Sequence, residues 1–377
     1  MRIFRYAALL TALSLMFCGC GLGDEVESRA YVLALGVDRA DEGGIELTVR
    51  VPKIGKSDGG AEKEGSSDSP YLTFSASGKT LRQALENVQW IVPRILNLSH
   101  LKLLVVSEQL AAEADFRSVL NAVVELRHLY TAANMVVSAG KARELVEALE
   151  LVIDARLSNE LTMAFRALEK QGDIPETSLA EVYFAANSIY GDPVVPMGFV
   201  ASYGDSDAKA AFSPLSPDPD LAPGAAQGAV HLLGGAVLRD GRLVLRLDGK
   251  ETLALNLINR GAQAISFASE GKAYQLVSSG YPEKTVSIRG NRVELKLCLS
   301  LNTLDAVDDA ALRTIEAALG RQILDVITAC QREGVDPFGF SEKAARCFYS
   351  VWDWLDFDWR SRFSAADASV QVKVSRQ

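Results

Sequence analysis

Five thiols and three imidazoles are the groups in this chain best equipped for chemistry, and their spacing decides which chemistry is open to them. His100, His128 and His231 are the only histidines. An imidazole serves as general base or zinc ligand when a second group is placed to hold it. None of the three stands in an H-E-x-x-H or other paired spacing, so structural roles are expected for them. Cys298, Cys330 and Cys347 match no zinc pattern, and an odd number allows at most one internal bridge. They read as small buried residues. Gly271-Lys272 lacks the upstream glycine of a phosphate loop. No G-x-S-x-G elbow and no G-x-G-x-x-G after a strand occurs. No catalytic residue, no metal site and no cofactor site is expected, and the chain reads as a binding protein rather than an enzyme.

One cysteine has a spacing with chemical meaning. Arg2 and Arg5 make a short positive region, and Ala7 to Phe17 is almost wholly apolar. That run is too short to span a bilayer as a helix but suits a signal-peptide core. Cys18-Gly19-Cys20-Gly21 closes it. A lipoprotein signal ends in a small residue before the acceptor thiol. Gly19 precedes Cys20, whereas bulky Phe17 precedes Cys18. Residues 1–19 are therefore expected to leave as a signal peptide, and Cys20 to take the lipid and hold the chain on the outer face of a membrane. An ordinary cleaved signal and an uncleaved anchor are the alternatives. The formal charge of -9 argues against nucleic acid as partner, since phosphate contacts need a basic face.

Trp352, Asp353, Trp354, Asp356, Asp358 and Trp359 form the most unusual local composition. Exposed Trp anchors interfaces, so a partner surface is one reading. The interleaving of apolar and charged residues favours another, a surface element whose rings cover a sheet edge while the carboxylates face water.

The elements that must position these groups follow from periodicity. Tyr31 to Asp38 and the alternation Ile45, Leu47, Val49, Val51 predict a hairpin with one buried face. Lys53 to Pro70 reads as a loop and Tyr71 to Ala76 as a strand. Leu81, Ala84, Leu85, Val88, Ile91 and Val92 give a helix that Pro93 interrupts. A strand at Leu101 to Val106, helix from Glu108 to His128 and strand at Met135 to Ser138 suggest a β-α-β unit. Helices are expected near Ala142 to Ile153, Asn159 to Lys170 and Ser178 to Asn187. Gly204 to Gly228, with Pro214, Pro217, Pro219 and Pro223, reads as a linker.

Beyond it, Asp240-Gly241 marks a two-residue hairpin turn, Glu251 to Ile258 a short helix, and Ala264, Tyr274 and Thr285 three strands. Val293, Leu295, Leu297, Leu299 and Leu301 alternate as the clearest strand. Leu312 to Cys330 is a long amphipathic helix ended by Gly334, and Ala368 to Val374 a last strand. The fold class is α+β, multidomain, with open mixed β-sheets flanked by helices. The expected division is a signal peptide at 1–19, an N-terminal α+β domain at 20–203 that can itself split in two, a linker at 204–228 and a C-terminal α+β domain at 229–377.

Several stretches resemble one family, the Ger(x)C spore germination lipoproteins, which are the C subunits of germinant receptors. They are the Cys20 end of the signal, Glu27 with Ala30-Tyr31-Val32, Gly36-Val37-Asp38, and Gly78-Lys79-Thr80-Leu81 with Ala84. Pro93-Arg94, His100-Leu101-Lys102, Val105-Val106-Ser107-Glu108 and Leu110-Ala111 follow. In the second half they are the hairpin from Gly235 to Val244, Glu251-Thr252, Asp336-Pro337-Phe338-Gly339-Phe340, Trp359 to Phe363 and the final strand. Gly21 stands where family members usually carry Trp. The resemblance implies a palmitate-type lipoprotein of sporulating cells on the outer face of the spore inner membrane. Its partners would be the integral-membrane A and B subunits of a receptor that senses small nutrients, and members are not known as enzymes. It also implies several domains of sheets flanked by helices. The competing readings are an extracytoplasmic solute-binding lipoprotein, which would need paired lobes of alternating β and α elements, and a lipid-anchored hydrolase.

Overall fold

The computed structural model describes residues 28–53, 69–149, 157–200, 230–259, 264–269 and 272–377, without the side chains of 157–160. Cys20, most of the 53–70 loop and the whole of 204–228 lie outside the described residues. The first part of the chain runs β1 (Arg29–Tyr31), β2 (Ala34–Arg39), β3 (Ile45–Pro52), β4 (Tyr71–Gly78), α1 (Leu81–Ile91), β5 (Ile95–Asn97), β6 (Leu103–Ser107), α2 (Glu108–Ala111), α3 (Phe116–Val124), β7 (Asn134–Ser138), α4 (Ala142–Glu147), α5 (Leu157–Gln171), α6 (Leu179–Ala186) and β8 (Val194–Val200). Next come β9 (Val230–Arg239), β10 (Arg242–Leu247), α7 (Gly249–Asn259), β11 (Ile265–Ser269), β12 (Lys272–Ser278), β13 (Glu283–Arg289) and β14 (Arg292–Thr303). The chain closes with α8 (Asp309–Glu333), α9 (Phe340–Ala345), α10 (Val351–Asp356), α11 (Trp359–Ser364) and β15 (Asp367–Arg376).

Eight strands form one sheet in the order β10-β9-β8-β7-β6-β2-β3-β4. Its four central strands, β8, β7, β6 and β2, are parallel, and antiparallel strands extend it on both sides. A parallel centre needs cover on both faces. On one face Leu81 and Val88 of α1, Phe116 and Leu120 of α3, and Val182 of α6 join the core. On the other, Leu145 and Val146 of α4 and Leu161 and Phe165 of α5 do so. This two-sided burial corrects the expected one-faced hairpin. Thr48 and Arg50, on the face of β3 read as wet, are also buried. The cause is α4, which lies over them. Arg50 Nη1 donates to the carbonyls of Val146 and Glu147 at 3.0 and 3.0 Å, where the negative end of the helix favours a cation.

The linker does not separate two sheets. β9 pairs antiparallel with β8, Phe199 opposite His231 and Val195 opposite Ala236, so the hairpin placed in the C-terminal domain by sequence completes the first sheet. β8 escaped notice because Pro196 interrupts a short apolar run, and the register shifts between Pro196 and Gly198. The turn itself is as expected: Asp240 and Gly241 have φ of 53° and 76°, the left-handed pair of a tight hairpin.

The second sheet has the order β11-β12-β14-β13, and β15 runs parallel to β14. β12 and β13 pair with different parts of β14, so they share one of its edges and β15 takes the other. Val293, Leu295, Leu297, Leu299 and Leu301 of β14 are buried with Ile315, Leu319, Ile323 and Val326 of α8. Asp308 accepts from Ala311 N at 2.7 Å to start that helix, and Gly334, with φ 64°, ends it. The two units are thus open mixed sheets with helices packed on them, the α+β class that the periodicity predicts.

Candidate functional site

The two sheets meet at a joint built from four segments. Asp192 comes from the connection between α6 and β8, Asp240 from the β9–β10 turn, Asp336 from the connection between α8 and α9, and Trp359 and Arg360 from α11. Asp336 is buried. Its Oδ1 accepts from the backbone N–H groups of Phe338 and Phe340 at 3.2 and 3.3 Å. Its Oδ2 accepts from Ser341 N at 2.5 Å and from the Trp359 indole at 3.2 Å. The chain crosses to the first sheet here: Asp192 N donates to Asp336 O at 3.1 Å, and Asp336 N donates to Asp192 Oδ2 at 2.8 Å. Arg360 forks onto both oxygens of Asp240 at 2.8 and 2.7 Å and lies 3.9 Å from Asp192 Oδ1. Arg239 adds a bond to the Glu333 carbonyl at 2.6 Å.

Asp192, Asp240, Asp336, Trp359 and Arg360 line a cleft of about 360 Å³. Burial pushes the Asp192 carboxyl up to about 6, against the opposing pull of the Asp336 N–H and of Arg360. Burial also pushes Asp336 upward, while the hydrogen bonds from Ser341 and from the Phe340 and Phe338 N–H groups pull it back. The Arg360 fork holds Asp240 below its ordinary value. Lys284 of β13, brought down to about 8 by burial, donates to Asn259 Oδ1 at 3.0 Å and to the Phe338 carbonyl at 2.5 Å. Two close carboxyls with an upward shift are the pattern of acid-base pairs. Here each carboxylate is engaged by protein donors, so the arrangement bolts one sheet to the other.

The sequence candidates lie elsewhere and apart. His100 packs its ring 4.6 Å from that of Tyr31, His128 lines a groove beside β5, and His231 stacks on Phe199 at 5.3 Å. Burial lowers the His231 pKa. The three thiols are free; only Cys330 is buried, and Cys347 is exposed. Among the described residues no group of three or more His, Cys, Asp or Glu could hold a metal, and no helix is long and apolar enough to cross a membrane. Cys20 lies outside the described residues. The second sheet, with its antiparallel strands and one long helix, does not make the matching lobe that a solute-binding protein needs.

The tryptophan stretch divides in two. Trp354 and Trp359 are buried, 5.7 Å apart, and pack against Tyr190, Phe348 and Phe363, with the Phe348 ring edge-on to Trp354. Trp352 is 76% exposed, with Tyr349, Val351 and Leu355 exposed beside it in sequence. Asp192 and Arg360 were not singled out by sequence reasoning. Asp240 was visible as a turn residue and within the resembling hairpin, Asp336 only through the resemblance, and Trp359 through both the resemblance and the unusual tryptophan-aspartate composition.

Comparison with known proteins gives this architecture its relatives. Residues 23–198 match the model described as "Spore germination protein N-terminal domain", and residues 233–376 match "Spore germination B3/ GerAC like, C-terminal". Spore germination protein KC of Bacillus subtilis is 24% identical over 98% of this chain and 93% of its own length. The putative spore germination protein YfkR of the same organism is 20% identical over 94% and 91%. The crystal structure of the GerBC protein superposes with a TM-score of 0.53 at 13% identity, covering 91% of this chain and 96% of that one, and so shares the fold. With both domain models matched in order along one chain, the protein belongs to the GerAC-like family of spore germination proteins.

Proposed function

We propose that this chain is the lipid-anchored, non-catalytic C subunit of a germinant receptor. It is held by Cys20 on the outer face of the cell or spore inner membrane and assembled there with integral-membrane A and B subunits. The observation that carries the reading is a contrast. The charged groups between the two sheets are engaged by protein donors and acceptors, while an apolar stretch with two aromatic rings, Tyr349, Val351, Trp352 and Leu355, stays exposed. Aromatic anchors dominate interface energetics, and a tether raises the local concentration of such a face for membrane partners without any new contact. The outward-facing loops of the membrane subunits are its proposed occupant.

In a spore-forming host, the Trp352→Ser, Tyr349→Ser double variant should accumulate and fold yet no longer copurify with the membrane subunits, and the nutrient response should fail. Undiminished copurification would remove this face from the proposal. Single replacements of His100, His128 and His231 should leave the response intact. Loss of response in a stable, correctly placed histidine variant would instead favour a ligand-binding or catalytic site. Several acyl chains on one cysteine hold a protein firmly where one chain does not. Cys20→Ala should therefore lose both metabolic fatty-acid labelling and membrane retention, and equal labelling of that variant would overturn the anchor.

A further inference from the structure

A second uncovered face lies at the corner where α1 runs into β5. α1 buries Leu81, Ala84 and Val88. Trp90 is two residues past Val88, about 200° round the helix, and it points away from the core with 85% of its surface exposed. Ile91 is 52% and Ile95 58% exposed. The corner is stiff. Gln89 Nε2 donates to the Arg94 carbonyl at 2.7 Å, and Gln89 Oε1 accepts from Leu96 N at 2.9 Å. Three large apolar side chains held outward on a braced turn add nothing to the core, which points to an external occupant.

The chain itself says where that occupant is. In the β1–β5 pair Arg29 lies opposite Ile95. Arg29 is nine residues after Cys20, and nine residues span about 30 Å at most. A lipid on Cys20 therefore keeps this corner within that distance of the bilayer. The charge agrees: Arg29, Arg82, Arg94 and Arg127 surround the corner and its adjoining groove against Glu86 and Glu125, with Arg82 3.7 Å from Glu86 on the exposed face of α1, in a chain whose net charge is -9. An interfacial Trp with flanking cations is the chemistry of a surface that rests on anionic lipid.

We propose that the α1–β5 corner lies against the membrane, with Trp90, Ile91 and Ile95 set among the headgroups and the arginines facing lipid phosphates. The inference rests on the Cys20 anchor for its geometry. It fixes which side of the first sheet faces the bilayer and leaves the Trp352 face for protein partners.

The test reads Trp emission from the full mature protein, taken from cell membranes and reconstituted in vesicles of equal parts phosphatidylglycerol and phosphatidylethanolamine. The acyl chains are brominated near the glycerol. Bromine quenches only rings at the interface. Trp90→Phe should lose most of the quenching, and Trp352→Phe should keep it. Replacing the anionic lipid with phosphatidylcholine should reduce it. Mass spectrometry of the same preparation reports whether Cys20 is acylated. Residues 21–377, held by an N-terminal histidine tag on nickel-chelating lipid, supply a tether that does not depend on Cys20. Trp90-dependent quenching on that tether, with Cys20 found unmodified in the protein taken from cell membranes, would support the surface and overturn only the anchor. Quenching indifferent to Trp90→Phe, or absent from vesicle-bound protein in both forms, would overturn the surface. Trp90-dependent copurification with membrane subunits without quenching would assign it to a protein occupant instead.

Discussion

Asp336→Asn is the substitution that most directly tests the joint. It keeps the shape of the side chain and replaces one acceptor oxygen with an NH2 donor. Both carboxylate oxygens now receive two N–H groups each, Phe338 and Phe340 on one side, Ser341 and Trp359 on the other. Either orientation of the amide therefore turns its NH2 toward two buried donors. The shorter pair includes Ser341 N at 2.5 Å, so the amide oxygen should face that side and leave the Phe338 and Phe340 N–H groups unpaired. A buried donor left unpaired costs about 1–3 kcal/mol. The bonds lost here are the longer ones, so the total should be about 2–4 kcal/mol. Asp240→Asn is the control. It removes a charge from a bidentate pair whose side chains are 49% and 59% exposed, and solvent screening limits such pairs to about 1 kcal/mol or less. Urea unfolding followed by Trp emission reads both variants, with Trp354 and Trp359 reporting on the joint itself. An Asp336→Asn midpoint that matches that of Asp240→Asn, at equal slope, would refute the claim that Asp336 is held by four donors.

The remaining predictions use the same joint. Burial holds the folded Asp192 carboxyl at about 6, above its ordinary 3.8. The folded state thus binds that proton more tightly. The contribution is fully present below about pH 4 and is lost as pH rises through about 6, amounting to about 3 kcal/mol at most. Thermal midpoints across this window should fall in the parent relative to Asp192→Asn, and a parent–variant difference that is flat from about pH 4 to 7 would contradict the assignment. A protease cut within 204–228 should leave the two fragments together on native gel filtration, because β8 and β9 still pair across it. Separation of folded halves without denaturant would mean that the eight-stranded sheet is not one unit.

Legibility from sequence tracked how local each cause is. The Asp240-Gly241 turn, the alternation of β14 and the Gly334 stop of α8 each depend on residues within a few positions, and each was readable. β8 was not, because Pro196 breaks its pattern and it becomes a strand by pairing with β7 on one side and with residues 230–237, about forty positions on, on the other. The burial of Arg50 depends on carbonyls at Val146 and Glu147, which no local window contains. The joint failed for the same reason: Asp192, Asp336 and Arg360 acquire meaning only from one another.

The residues that carried the resemblance behave in one physical way. A Cβ on Gly36 would stand 3.2 Å from Val146 of α4, one on Gly78 2.4 Å from Ala84 N, and one on Gly241 2.8 Å from Arg117 Cβ. Asp38 caps α4 through Ala142 N and Arg143 N at 2.7 and 2.9 Å, and Asp336 organises the α8–α9 connection. All are places where two elements approach too closely, or bond too specifically, to accept another side chain freely. They report how the sheets are assembled and say nothing of what the surface meets. Trp90 and Trp352 differ in kind, since neither packs into a seam and neither is needed to close a core. A large ring left in water contributes nothing to folding, so the function of this chain is better sought at those two exposed faces than at the motifs that make the family recognisable.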